Sequence, residues 1–328
     1  MRLKKHEKGE KNGMQIVVLD AKTLKMEELD LSSWRELGTL SLYDRTDPML
    51  VPQRLRGADV VLTNKVRLTG DVLKGASALK MIGVLATGYD VVDVRAAWRH
   101  GIPVCNVPGY ATGSVTESVF AFLLEMTRHT AFSTGRIRQG AWTACPEFCW
   151  WEKTPLSLEG RTLGVVGCGA IGSRVAAVGK AFGMRVLGYA RHRHPDFPGT
   201  QTSLEKLLAE SDAVTLHCPA TSENAGFVNA ETIEKMKDGA LLINTARGSL
   251  VNEGDVVAAL ASGKLGGYGA DVVSREPMDI HNPLLKAPNC YLTGHSAWAT
   301  VEGRQRIVDV TAESIRGLLA GKPQNVVN

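Results

Sequence analysis

Four polar residues in the second half of the chain each follow a short apolar run: Arg247, Asp271, Glu276 and His295. Singly they are ordinary, since a loop Arg or Glu is most often a solvated charge and a lone His most often structural. Together they supply what hydride chemistry on a carboxylate substrate needs. A guanidinium grips a carboxylate with two parallel hydrogen bonds. A histidine passes a proton near neutral pH. A carboxylate bonded to that histidine fixes its tautomer and favours its charged form.

Such a set needs elements that hold it in place and a place for the hydride donor. Leu163–Phe182 contains Gly167-Cys168-Gly169-Ala170-Ile171-Gly172, an apolar run breaking into Gly-x-Gly-x-x-Gly and then into helical spacing. The pattern allows a tight turn, close backbone approach to a pyrophosphate and close helix–strand packing. The helix that follows would point free N–H groups and its positive dipole end at the phosphates. In a chain with 34 glycines the pattern alone is weak, and its place between strand and helix gives it weight.

Around this turn the sequence alternates strand-like runs with helical stretches, the pattern of a parallel sheet covered on both faces. In the second half the runs are Leu163–Val166, Arg185–Tyr189, Ala213–His217, Ala240–Asn244, Gly267–Asp271 and Cys290–Leu292. Six strands with the glycine turn after the first predict a doubly wound dinucleotide-binding domain. Helices are expected at Ser203–Glu210, Ala230–Lys235 and Glu253–Gly263, the last closed by a glycine C-cap. The first half has its own runs at Ile16–Leu19, Leu40–Tyr43, Val60–Thr63, Met81–Leu85 and Ile102–Cys105, with no glycine fingerprint. It reads as a smaller α/β domain that does not bind the dinucleotide. Ser114 and Glu117 read as a capping box, opening a helix whose broad apolar surface suits a domain link and a dimer contact together. The aromatic stretch 139–155 is either an arm for a partner subunit or a loop folded back on its own domain. Trp298–Leu319 is expected to be one long helix returning to the first domain and closing a cleft.

The expected division is therefore a basic, disordered extension over 1–13, a substrate domain over 14–108 and 299–328, and a dinucleotide-binding domain over 109–298. A length of 328 residues suits two domains. A net charge of +4 with scattered basic residues argues against nucleic acid. No apolar run reaches the ~18 residues of a membrane span, and the N-terminal segment lacks the apolar core of a secretory signal. The six cysteines contain no Cys-x-x-Cys pair and read as reduced thiols of a cytoplasmic protein, with no metal site expected.

The runs Gly164–Gly172, Leu241–Val251, Gly269–Pro277 and Thr293–Thr300 resemble the D-2-hydroxyacid dehydrogenase family, in the family's order. Gly83–Asp90, Asn106–Ser114, the Trp-rich loop and the C-terminal Lys322–Asn328 are most similar to its glycerate dehydrogenase (hydroxypyruvate reductase) members. The resemblance implies two Rossmann-like domains, the first flavodoxin-like, with a cleft between them, and usually a homodimer. It implies that His295 protonates the carbonyl oxygen of a small 2-keto acid as nicotinamide delivers hydride, with Glu276 orienting the histidine. Arg247 would hold the substrate carboxylate, together with Thr87, Gly88 and Lys65. Ala170, Ile171, Cys218, Pro219, Thr245, Ala246, Asp271, Ala297 and Trp298 match positions that line the cofactor, as do Thr87, Arg247 and His295.

Two positions depart from the family pattern. Gly294 stands where proline usually precedes the histidine, which should loosen that loop. An NAD-binding member has an acid about 20 residues past the glycine turn, to hold the ribose hydroxyls. Here Ala190 stands eighteen residues after Gly172, and Arg191-His192-Arg193-His194 follows. A missing acid beside Arg191 and Arg193 suits a 2′-phosphate, so NADP(H) is favoured over NAD(H). The expected substrate is hydroxypyruvate or glyoxylate. The rivals are a dehydrogenase for another acid, such as phosphoglycerate or lactate, and a dinucleotide-sensing regulator on the same fold.

Overall fold

In the computed structural model, which describes residues 13–328, every one of these apolar runs becomes a strand of a parallel sheet. The basic extension over 1–13 lies, Gly13 apart, outside the described residues. The chain divides into two units: one runs to Tyr110 and resumes at Ala299–Asn328, and the other is Ala111–Trp298.

The first unit holds β1 (Met14–Val18), β2 (Gly38–Leu42), β3 (Val60–Thr63), β4 (Met81–Val84) and β5 (Val104–Cys105). Their order, β2-β1-β3-β4-β5 with every pair parallel, is that of a flavodoxin-like sheet. Every residue of β3 and β4 is buried, as continuous apolar runs require when helices cover both faces. Those helices are short: α1 (Ser32–Arg35), α2 (Val51–Leu55), α3 (Gly70–Lys74) and α4 (Val94–Arg99). Asp93 starts α4 by accepting the Ala96 N–H at 2.9 Å.

The second unit opens with α5 (Thr112–Arg128) and α6 (Thr130–Arg138). The capping box expected at Ser114 is not formed: Ser114 lies inside α5 and its hydroxyl donates back to the Ala111 carbonyl at 3.2 Å. The helix begins two residues earlier than the serine, so Ser114 no longer faces unpaired N–H groups. The wide apolar face of α5 is used within this unit, against α7, β10 and β11 named below. Phe122 and Met126 lie where side chains at Gly269 and Gly267 would collide with them, so the bare strand lets the helix sit close.

The remaining elements are β6 (Thr162–Val166), α7 (Ala170–Ala181), β7 (Arg185–Tyr189), β8 (Thr200–Gln201), α8 (Leu204–Glu210), β9 (Ala213–Leu216), α9 (Ala230–Glu234), β10 (Ala240–Asn244), α10 (Glu253–Ser262), β11 (Leu265–Ala270) and β12 (Cys290–Leu292). The sheet order is β12-β11-β10-β9-β6-β7-β8, seven strands instead of the six expected. The extra strand, β8, is two polar residues on an edge, too short for periodicity to show. Ser203, Asn229 and Asn252 cap α8, α9 and α10, and Gly263 (φ 79°) closes α10 as expected.

The chain then returns to the first unit in α11 (Val301–Leu319), which packs on β4 and α1. It starts at Val301, not at Trp298, because the Thr300 hydroxyl caps it by accepting the Gly303 N–H at 3.1 Å. Arg304, 5% exposed, fastens the helix: it donates to the Leu24 carbonyl at 2.8 Å and pairs with Glu28 at 2.6 Å. Among the described residues no helix is long and apolar enough to cross a membrane.

Candidate active site

Sheet order reverses between β6 and β9, and there the carboxyl ends of parallel strands leave a crevice. The glycine turn occupies it, and its three glycines have separate reasons to be glycine. Gly167 has φ +102°, and a side chain there would reach within 2.5 Å of the His217 backbone. A side chain on Gly172 would reach within 1.9 Å of the Gly167 carbonyl oxygen, so α7 could not pack on the turn. Gly169 instead faces open space at the head of α7, with no side chain capping the helix N–H groups. That is the cradle a pyrophosphate needs.

A cavity of about 410 Å³ adjoins the turn, walled by Gly167–Gly169, the chain after β7 and the chain after β9. Cys218 and Pro219 line it, as does Ala190 at the position of the missing acid. Arg191 and His192 also face it, but Arg193 does not. The chain bends at 191–192 and carries Arg193 to a neighbouring depression around Pro195–Thr202. Arg191 is paired with Glu223 of the opposite wall at 3.6 Å. His217, which the sequence reading passed over, lies 2.9 Å through Nε2 from the Thr215 hydroxyl. Desolvation pushes its pKa down to about 3, so it serves this wall as a neutral ring.

The four polar residues are assembled by three neighbouring strands, β10, β11 and β12, whose ends are in register: Asn244 beside Ala270, and Ala270 beside Leu292. After β10, buried Asn244 accepts from the Ala246 N–H at 3.0 Å and donates to the Arg247 carbonyl at 2.9 Å. This closes a tight loop with the Arg247 side chain exposed. Gly248 then runs so near the next loop that a side chain would sit 1.9 Å from the Val273 carbonyl carbon. In that next loop, Glu276 accepts the Val273 N–H through Oε1 at 3.3 Å and meets His295 Nδ1 through Oε2 at 2.6 Å. The pairing leaves Nε2 as the histidine's free nitrogen for proton transfer.

His295 has φ +54°, a left-handed conformation that costs a non-glycine residue about 1–2 kcal/mol. Asp271 holds it there. Its carbonyl accepts the His295 N–H at 2.7 Å, and its carboxylate accepts from Thr293 Oγ1 at 2.6 Å, Ser296 N at 2.8 Å and Ala297 N at 3.0 Å. Trp298 adds a bond from its ring N–H to the His295 carbonyl at 2.8 Å. The loosening expected from Gly294 is therefore countered: the loop is tied on both sides of the histidine. Where the resemblance had Asp271 lining the cofactor, its buried carboxylate accepts three bonds from this loop. Thr245 Oγ1 is buried with no hydrogen-bond partner among the described residues. An orphan hydroxyl beside the strand end fits a position that meets a bound cofactor.

The first unit brings Lys65 to the end of β3 and Thr87 and Gly88 just beyond β4, its neighbour. Thr87 donates to the Val107 carbonyl at 2.9 Å and its own carbonyl accepts from Asn106 at 2.8 Å.

Residues 120–297 match the family model described as the D-isomer specific 2-hydroxyacid dehydrogenase, NAD binding domain. The chain is 41% identical, over 96% of its length and all of the relative's, to a hydroxypyruvate reductase of Blautia hydrogenotrophica. It is 40% identical to a glycerate dehydrogenase of Methylorubrum extorquens, over 87% of this chain and 90% of that one. A crystal structure of a Thermus thermophilus protein superposes with a TM-score of 0.82 at 35% identity, covering 96% of this chain and 100% of the other. A parallel sheet with a phosphate-binding turn and a histidine–carboxylate pair at its carboxyl edge describes a dinucleotide-dependent oxidoreductase. The chain belongs to the D-isomer specific 2-hydroxyacid dehydrogenase family.

Proposed function

We propose that this dehydrogenase reduces a small 2-keto acid, hydroxypyruvate or glyoxylate, to the D-2-hydroxy acid; hydroxypyruvate would give D-glycerate. The observation that carries the reading is the 2.6 Å contact between His295 Nδ1 and Glu276 Oε2, one loop away from Arg247. The nicotinamide supplies the hydride when bound. His295 gives its Nε2 proton to the developing alkoxide, and Glu276 holds the imidazole in the tautomer that can do so. Arg247 grips the substrate carboxylate and polarises the ketone. Lys65, Thr87 and Gly88 supply further contacts to the carboxylate. Relatives named for hydroxypyruvate and glycerate support the substrate class. A spectrophotometric panel of hydroxypyruvate, glyoxylate, pyruvate and phosphohydroxypyruvate tests it. Tight cofactor binding with no turnover on any of them would favour the regulator reading instead.

For the cofactor we favour NADP(H). Ala190 has no side-chain carboxylate to accept from ribose hydroxyls, and Arg191 and His192 line the cavity where a 2′-phosphate would come. Glu223 already shares Arg191, and both side chains are well exposed, so the preference should be modest. Exposed pairs contribute up to about 1 kcal/mol, about fivefold in kcat/KM for NADPH over NADH. Equal or better rates with NADH would overturn this choice.

We also propose a homodimer. Phe148 is 91% exposed and Trp151 58% exposed on the Trp-rich stretch, apolar surface that a second copy would cover. Sedimentation should return the mass of two chains, and the mass of one would remove the proposal.

A further inference from the structure

The proposed reaction leaves unused one buried carboxylate of the first unit. Asp20, 3% exposed, follows β1, and the sheet order sets β1 beside β3. The chain leaving β3 turns three successive N–H groups onto Asp20: Asn64 at 2.9 and 3.1 Å to its two oxygens, Lys65 at 2.6 Å and Val66 at 3.2 Å. Burial raises the Asp20 pKa, and these N–H groups, with the Lys65 ammonium, oppose that rise. A carboxylate kept in such a site is costly unless its partners hold it ionised.

The same turn is tied to the next strand. The Asn64 side chain donates to the Leu85 carbonyl at 3.1 Å, immediately before Ala86-Thr87-Gly88. Thr63 closes the turn by donating to the Val66 carbonyl at 2.9 Å. Lys65 itself is exposed, and among the described residues its ammonium has no salt-bridge partner. A buried anion thus fixes the backbone beneath an exposed cation, and through Asn64 fixes it relative to the Thr87-Gly88 segment.

We propose that Asp20 is a positioning residue for substrate binding: it holds Lys65 and the Thr87-Gly88 segment ready for one anionic group, the carboxylate of the 2-keto acid. The inference rests on the functional reading above. Asp20→Asn keeps the shape but turns an amide donor toward N–H groups and should displace the turn. With hydroxypyruvate or glyoxylate, whichever is reduced faster, KM should rise about tenfold. The value of kcat should stay within about twofold, and the NADPH dissociation constant, read by fluorescence, should not move. Lys65→Ala should raise KM to a similar degree, and the double variant should raise it no further, because both lose the same contact.

A fall in thermal midpoint with unchanged KM would show a merely structural role and overturn the proposal, as would multiplying effects in the double variant. Should Asp20→Asn fail to fold, Asn64→Ala decides: it keeps the carboxylate, loses the bond to Leu85, and must also raise KM. If the wild type reduces no 2-keto acid, the functional reading fails and this inference with it. An active wild type with unmoved KM values in the variants refutes the inference alone.

Discussion

Arg247→Ala should lower kcat/KM for the 2-keto acid by about 2–5 kcal/mol, ~30-fold to several thousandfold, the scale of a lost charge-assisted contact. The fold should survive, because the Arg247 side chain is exposed and its one hydrogen bond, to the neighbouring Ala246 carbonyl, is local. The loop's shape depends on other groups: Asn244 braces the backbone, and Gly248 permits the close approach to Val273. The guanidinium is thus placed by buried residues and is itself free to meet a carboxylate. Both KM and kcat should suffer, since a group that also polarises the ketone acts in the transition state. Arg247→Lys should recover only part of the loss, because an ammonium offers a point charge without the two-pronged fit. Near-normal turnover of Arg247→Ala would refute the carboxylate-clamp assignment.

His295→Gln should cut kcat by ~10²–10⁴-fold, the usual worth of a positioned proton donor. It should also change the form of the pH dependence. Reduction needs the imidazole protonated at the start, so the wild-type rate falls as rising pH removes that proton. The variant has no such proton to lose, and its residual rate should be flat over the same range. A pH–rate profile with the wild-type shape would rule out the acid role. Glu276→Gln should lie between the two: it keeps a hydrogen bond to Nδ1 but loses the charge that stabilises the imidazolium. Asp271 is the control for position. Its carboxylate is engaged by Thr293, Ser296 and Ala297, so replacing it should displace the histidine loop and weaken kcat without touching the proton donor's chemistry.

Much of this arrangement was legible in the residues. Apolar runs of three to five residues marked the strands, because a strand buried on both faces tolerates few polar positions. The glycine spacing marked the turn, since Gly167 and Gly172 answer close contacts, and at Gly167 a positive φ, that a side chain would forbid, while Gly169 leaves the head of the helix bare. Arg247, Glu276 and His295 could be picked out because parallel sheets expose their strand ends. The fold departs from these patterns only locally. Ser114 and Trp298 carry helix-start signals that the fold does not use, because Ser114 bonds back to Ala111 and Thr300 supplies the working cap. The two-residue β8 has no period to detect, and Arg193 lines a different depression from Arg191 through a bend of the backbone that leaves no mark in composition.

By itself, then, the sequence determined the fold class, the glycine turn between strand and helix and the residues we propose for the chemistry, all of which follow from local patterns and chain order. Tertiary structure alone decided what holds them. Asp271 became the anchor of a strained histidine loop, Gly248 the point where two loops touch, and Asp20 the acceptor for three N–H groups more than forty residues away. Each of these bonds joins parts of the chain that only the order of strands in a sheet brings together. A buried aspartate reads the same in a sequence whether it meets solvent, a cofactor or a ring of amides; the fold chooses among them.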